Sequence, residues 1–135
     1  NFTCLNDDWN VEERCLSALA SWNLEHLQLS QPMCSLSGGE KTKVFLSGIL
    51  VHAPEIILMD EPSMGLSPLL VSEIFDIIKV INESGTTVLL VEQNAKKALS
   101  IADRAYVLET GKITLSGDAK DLINDESVKK AYLGE

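Results

Sequence analysis

The sequence predicts an α/β fold with a mainly parallel sheet, and two observations support this prediction. Residues 56–59 and 88–91 are short apolar runs with the length and composition of buried strands. Segments with apolar residues at helical spacing stand before, between and after these runs, as expected where strands alternate with helices. A chain of 135 residues is also long enough to form one domain with a core of its own.

The first predicted element is a helix over about residues 10–22. Asn10 with Glu13 resembles a capping box, and apolar residues follow at helical spacing. Residues 23–36 form a predicted loop, because Pro32 interrupts any helical continuation.

A second helix and the first strand come next. Ser37 with Glu40 forms another capping box, which opens a predicted helix that ends near residue 52, before Pro54. The apolar run that follows predicts a fully buried strand over residues 56–59, which ends in an acidic pair.

The middle of the chain predicts a helix followed by a second buried strand. Ser67 before Pro68 is a strong helix start, and Gly85 suits the position just beyond the helix end. The apolar run over residues 88–91 then predicts a second buried strand over residues 86–91.

The last third of the chain predicts a short helix over residues 95–102 and then a hairpin. Its strands cover residues 104–108 and 112–115, and they are joined around residues 110–111, Thr-Gly. The tail over residues 118–133 is predicted to be helical, with a break near Asn124.

Composition and charge disfavour several classes of function. Hydrophobic residues make up 45% of the chain and charged residues 23%, a composition typical of folded rather than disordered proteins. The apolar runs are far shorter than the roughly 18 residues that span a bilayer, and no leader segment is visible, so we expect a soluble, cytoplasmic chain. Because the net charge is −9 and the basic residues are scattered, direct nucleic-acid binding is not expected.

The cysteines and histidines give no site by themselves. The three cysteines, Cys4, Cys15 and Cys34, lack metal-ligand spacing. Two of them could form a disulfide, but free buried thiols are expected. His26 and His52 stand at no suggestive spacing from a carboxylate, so roles in packing or on the surface are expected.

An acidic pair, Asp60 and Glu61, ends the first predicted strand. The carboxyl edge of an open α/β sheet is where ligands bind. There Asp60 could hold Mg²⁺ in a phosphoryl-transfer site, and Glu61 could orient or deprotonate the attacking water. The alternative is that two acids simply end a strand and face solvent.

Two adjacent glycines stand at the start of the second predicted helix, within the run Leu36, Ser37, Gly38, Gly39 and Glu40. Glycine lets a ligand approach the backbone closely, and the N–H groups and dipole of a helix N-terminus favour an anion such as phosphate. The alternative is an ordinary helix cap with an acidic residue in the first turn.

In this order and spacing, the two motifs resemble those of the nucleotide-binding domain of the ABC ATPase family. Residues 36–40 are similar to the family's signature motif, and residues 56–60 to its Walker B strand. The resemblance implies that Asp60 is a ligand of Mg²⁺ and that Glu61 is the catalytic glutamate.

The resemblance extends to two further loops. Residues 63–67 fall at the family's D-loop, which implies that Ser63 and Gly65 lie at the nucleotide. Gln93 falls at the switch loop, where the family usually has a histidine that contacts the γ-phosphate; glutamine can still form that hydrogen bond but cannot carry a proton. The usual aspartate of the D-loop is also missing.

Both departures are typical of the ATP-binding subunit of branched-chain amino-acid importers, which residues 64–135 resemble. Residues 1–63 instead resemble the F-type ABC ATPases that act on ribosomes. A chimera with its seam near Ser63 is therefore one hypothesis, and a single divergent lineage is the other.

No G-x-x-x-x-G-K-[ST] loop, the Walker A motif that wraps the phosphates, occurs in the sequence. The resemblance therefore implies a truncated P-loop NTPase-like domain, the C-terminal half of one ATPase domain. Residues 1–52 would be the remnant of the helical subdomain with the signature helix, and residues 53–135 the Walker B strand and the remaining catalytic core. Without Walker A, the chain alone is expected to be inactive.

The resemblance implies ATP and Mg²⁺ as cofactors and a second ABC ATPase domain as a partner, whose site this signature completes. It also implies membrane permease subunits as partners and a place at the inner face of the membrane. Three functions stay open: a fragment of an ATPase that drives transport, with branched-chain amino-acid import favoured; an F-type ATPase that acts on the ribosome; and a non-catalytic fold fragment that associates with itself.

Overall fold

The computed structural model describes residues 9–133, which pack as two compact units that meet in sequence between Leu89 and Leu90. The first unit contains three helices, α1 (Val11–Ala20), α2 (Gly38–His52) and α3 (Pro68–Glu83), and the strand β1 (Ile56–Asp60). The strand β2 (Thr87–Val91) spans the boundary between the units. The second unit holds α4 (Ala95–Ile101), β3 (Arg104–Glu109), β4 (Lys112–Asp118), α5 (Ala119–Leu122) and α6 (Glu126–Val128), which continues into a π-helical turn, Lys129–Leu133. The α/β fold predicted from the sequence is confirmed.

The prediction of a capping box at α1 is wrong. Asn10 stands at the N-cap, but its side chain makes no capping hydrogen bond. The Asn10 backbone, with φ −103° and ψ 9°, is not in the extended conformation typical of a side-chain N-cap. Its carbonyl still accepts the first helical bond, from the Arg14 N–H at 3.0 Å. Two acidic residues in the first turn, Glu12 and Glu13, complement the positive end of the helix dipole.

Polar contacts fix α2 against its helical neighbours. The Arg14 guanidinium of α1 donates to the carbonyl of Val51 near the end of α2. On the other side, Lys43 forms an ion pair with Glu73 of α3. The helix ends at Ala53, which adopts a left-handed conformation with φ +47°.

The core of the first unit lies along one face of α3. This face comprises five buried residues of one helix, namely Ile74, Phe75, Ile77, Ile78 and Ile81. Their spacing of three and four residues places them on a single stripe. The predicted start of α3 is confirmed, since the Ser67 side chain accepts from the Leu70 N–H and proline occupies the first turn.

The strands β1 and β2 are neighbours in one sheet and are joined by α3, the connection typical of a parallel β-α-β unit. The prediction that β1 is fully buried and β2 buried is wrong. Met59 is buried, but Ile56 is 69% exposed and Leu58 65% exposed. Successive side chains of a strand point to opposite faces, and within residues 9–133 only one face of this sheet is covered.

The second unit is built on the antiparallel hairpin of β3 and β4. Its turn residues Thr110 and Gly111 both have positive φ, +47° and +78°, as a two-residue type I′ turn requires. The helices α4, α5 and α6 pack together through a small core of Leu99, Ala119, Leu122 and Val128. The predicted break in the tail is confirmed, because α6 begins at a new N-cap.

Two further features concern possible membrane spans and the cysteines. Among the residues the structure describes, no helix is both long and apolar enough to cross a membrane. Cys15 and Cys34 are free thiols, as predicted, but the prediction that they are buried is wrong, because Cys15 is half-buried and Cys34 is exposed. Cys4 lies outside the described residues.

Candidate functional site

The N-terminus of α2 is fixed by a reciprocal capping box. The Ser37 hydroxyl oxygen accepts from the Glu40 N–H at 3.3 Å. The Ser37 N–H in turn donates to Glu40 Oε2 at 2.8 Å. Two backbone donors that a helix start leaves unpaired are thereby satisfied, and the predicted cap is confirmed.

The Glu40 carboxylate also accepts a hydrogen bond that the sequence did not predict. Its other oxygen, Oε1, lies 3.0 Å from His26 Nε2. Hydrogen bonds from the Ser37 and His26 groups lower the pKa of Glu40 from its ordinary value of 4.5 to about 2. His26 lies on the surface, as expected, with its side chain 59% exposed, and the loop also brings it to a carboxylate distant in sequence.

The two glycines of this segment have different surroundings. A Cβ at Gly38 would meet nothing within 4 Å, so a ligand can approach the backbone there. A Cβ at Gly39 would lie 2.6 Å from Leu70 Cδ1 of α3. Gly39 therefore allows α2 and α3 to pack closely, a role that the sequence pattern did not distinguish from ligand binding.

Leu36, which precedes the cap, is part of the core. It is 8% exposed and clusters with Leu19, Leu24 and Leu27. Its side chain anchors the loop before α2, so a ligand at this position would meet the backbone rather than the side chain.

The acidic pair lies at the carboxyl end of β1, as predicted. Asp60 is exposed, and Glu61 is half-buried with a left-handed backbone, φ +45°. The Glu61 carbonyl accepts from the Met64 N–H at 3.0 Å. The chain thus turns sharply after the strand. Asp60 still belongs to the extended strand, whereas Glu61 belongs to the turn.

The turn after Glu61 contains the two other predicted nucleotide-binding residues. The Ser63 carbonyl accepts from the Leu66 N–H at 3.3 Å. Gly65 has φ +75° with open space around it, a conformation that favours glycine. This segment leads directly into α3.

Asp60 lines a groove of about 460 Å³ beside α2. Lys41 and Thr42 contribute polar groups, and Phe45 and Leu58 contribute apolar ones. Within the described part of the chain, no three acidic, histidine or cysteine side chains converge on a metal position. A single carboxylate still suits Mg²⁺, which is usually bound by one or two carboxylates together with phosphates and water.

Gln93 lies in the second unit, on the turn between β2 and α4. Its side chain is exposed, and its carbonyl accepts from the Ala95 N–H at 2.8 Å. The first unit therefore contains the capped glycine segment, the acidic pair and the turn with Ser63 and Gly65, and the second unit contains Gln93.

Comparisons with known proteins agree on one family. The ABC transporter family model matches residues 3–64. BraG of Pseudomonas aeruginosa, a high-affinity branched-chain amino acid transport ATP-binding protein, is 45% identical over 100 residues, which cover 74% of this chain and 43% of BraG. LptB of Escherichia coli, a lipopolysaccharide export system ATP-binding protein, is 36% identical over 134 residues, which cover 97% of this chain and 55% of LptB.

Solved structures give the same result. The chain resembles an ATP-binding cassette of an ABC transporter in its ADP conformation, with a TM-score of 0.74 and 29% identity, over 96% of this chain and 52% of that one. It also resembles cbiO1 of Clostridium perfringens, part of the ABC transporter complex cbiONQ, with a TM-score of 0.76 and 28% identity, over 96% of this chain and 53% of that one.

The extent of these matches bears on two expectations. The chain spans about half the length of the curated relatives it matches. The alignment with LptB covers 97% of the chain and therefore runs through the position near Ser63 where two resemblances meet. A single relative accounts for both sides of this position, and the comparisons give no support to a chimera.

Proposed function

The chain belongs to the ABC transporter ATPase family, and on this premise we propose that it supplies the signature and Walker B segments of an ATP-binding subunit that drives transport. In this proposal ATP and Mg²⁺ are the cofactors, and a second ATPase domain and membrane permease subunits are the partners. The subunit works in the cytoplasm at the inner face of the membrane.

The observation that carries the proposal is the open, capped start of α2. Ser37 and Glu40 hold the first turn in place, and a Cβ at Gly38 would meet nothing within 4 Å. The Glu40 N–H is bonded to Ser37, but the N–H groups of Gly38 and Gly39 have no preceding helical carbonyl, so they attract an anion such as the terminal phosphate of ATP. In trans, Ser37, Gly38 and Gly39 would complete the site of a partner that provides the phosphate-binding loop.

The acidic pair supports the second part of the proposal. Asp60 is exposed at the end of β1 and provides a carboxylate ligand for Mg²⁺, which when bound neutralises charge on the phosphates. Glu61 accepts a hydrogen bond from the attacking water and orients it. Gln93 donates a hydrogen bond from its amide to the γ-phosphate, and because it cannot take up a proton, it acts only by binding.

Import of branched-chain amino acids is the transport function that we favour. BraG, which is named for this transport, has the higher identity of the two relatives, 45%. Lipopolysaccharide export is the second candidate, because LptB aligns with more of the chain, 97%. Neither name supports the alternative of a ribosome-acting F-type ATPase.

The test is ATP-dependent association with a full-length ATP-binding subunit that has an intact phosphate-binding loop. The chain carries a fluorophore at its amino terminus, and anisotropy is measured with Mg-ATP, with Mg-ADP and without nucleotide. The matched variants are Gly38→Asp and Gly48→Asp, which add the same acid to open positions of the same helix.

We expect association with ATP alone, an apparent Kd at least about tenfold weaker for Gly38→Asp because its carboxylate repels phosphate, and an unchanged Kd for Gly48→Asp. No association at saturating ATP would reject the proposal. Association that is independent of nucleotide would favour the alternative of a fragment that acts as a binding module without catalysis.

A further inference from the structure

One carboxylate joins the loop before α2 to the helix start. Glu40 Oε1 lies 3.0 Å from His26 Nε2, while Oε2 accepts from the Ser37 N–H at 2.8 Å. The three groups form a chain of hydrogen bonds that ends at the backbone of the residue that caps α2.

The protonation of this chain follows from its geometry and charges. Glu40 is ionised at neutral pH, since even its ordinary pKa of 4.5 lies well below 7 and its hydrogen bonds lower that pKa to about 2. An ionised carboxylate only accepts hydrogen bonds. His26 must therefore donate from Nε2, whether the ring is neutral or protonated. The donor role does not require the ring to be charged.

The capping box is complete without His26, since it needs only Ser37 and Glu40. His26 adds a second hydrogen bond to the Glu40 carboxylate, which restricts the rotamers of this long side chain. The His26 ring is 59% exposed and the Glu40 side chain 30%, so the contact contributes little to the core and acts mainly on the orientation of the carboxylate.

We propose that His26 is a positioning residue, which acts through Glu40 to hold Ser37 and the first turn of α2 in the orientation that receives a partner's nucleotide. This inference rests on the proposed function and deepens it. It assigns a role to a residue that lies outside the signature segment.

The experiment uses the 135-residue chain with three variants and two readouts. His26→Leu removes the donor, His26→Gln keeps an N–H donor without a titratable ring, and His52→Ala controls for loss of the other histidine. The first readout is hydrogen exchange of the Ser37 amide, measured by NMR. The second is the apparent Kd of ATP-dependent association with the full-length partner subunit.

For His26→Leu we expect Ser37 amide exchange about threefold to tenfold faster and a Kd weakened by a similar factor, the range that corresponds to one hydrogen bond. His26→Gln should restore both values, and His52→Ala should change neither. Unchanged Ser37 exchange in His26→Leu would overturn the inference, whatever the association shows. Faster exchange with an unchanged Kd would overturn it too, because the orientation would then not matter for binding.

Failure of the proposed function has a different signature. In that case the unaltered chain itself shows no ATP-dependent association. That result would also reject a role of His26 in binding a partner's nucleotide. The two failures are distinguishable, because this one is measured on the unaltered chain, before any His26 variant is compared.

Discussion

The cap of α2 yields the most direct test of the structure. Ser37→Ala removes the hydroxyl oxygen that accepts from the Glu40 N–H at 3.3 Å. Replacing a serine N-cap with alanine costs about 0.5–2 kcal/mol. Because this hydrogen bond is long and Glu40 retains its own bond to the Ser37 N–H at 2.8 Å, we expect a loss of about 1 kcal/mol in the free energy of unfolding.

A matched substitution exists at the start of α3. The Ser67 hydroxyl oxygen lies 3.5 Å from the Leu70 nitrogen, and the following proline already favours a helical start. Ser67→Ala should therefore cost less, about 0.5 kcal/mol. Ser37→Thr keeps the hydroxyl and should recover most of the loss caused by Ser37→Ala.

The assay is urea unfolding followed by circular dichroism at equal protein concentrations. With a urea dependence of about 2 kcal/mol per molar, a loss of 1 kcal/mol lowers the midpoint by roughly 0.5 M. A Ser37→Ala midpoint equal to that of the unaltered chain, or a larger effect of Ser67→Ala, would refute the reasoning. Either result would mean that the capping box does not hold the first turn of α2.

Three further predictions follow from single positions. Ala53→Gly should raise the free energy of unfolding by about 0.5–1 kcal/mol, because glycine adopts the left-handed conformation without steric cost; a lower urea midpoint would contradict this. Ile74 is fully buried, so Ile74→Ala should lower the free energy of unfolding by about 2–5 kcal/mol, and a loss below about 1 kcal/mol would show that this site is not close-packed. The pKa of Glu40 is lowered in the folded state to about 2, so its contribution to stability is full above pH 4.5 and is lost as the pH falls towards 2; Glu40→Gln should flatten urea midpoints across that range, and an unchanged slope would exclude this carboxylate as the cause.

Helix starts were the best-predicted features, because a cap depends on a few adjacent residues. Ser37 with Glu40 and Ser67 before Pro68 both form the predicted starts. The same local pattern at Asn10 gave the wrong cap, because Asn10 has ψ 9° and not the extended backbone of Ser37 and Ser67 from which an N-cap side chain reaches the first turn. The hairpin turn was also predicted correctly, since its residues determine the backbone conformation.

Burial and side-chain partners were predicted less well, because both depend on segments distant in sequence. The apolar run of β1 matches a fully buried strand, yet Ile56 and Leu58 are mostly exposed, since the structure covers only one face of the sheet. Likewise, no spacing rule relates His26 to Glu40. The packing role of Gly39 depends on its contact with Leu70 of another helix, which the local sequence does not contain.

The contact between Gly39 and Leu70 makes two positions share one small volume. A methyl group at position 39 would require Leu70 to rotate away or to be replaced by a smaller residue. The two positions should therefore have changed together during evolution, so that relatives with alanine or serine at the first carry a smaller or more flexible side chain at the second. The identity of residue 39 then reflects how closely α2 and α3 pack.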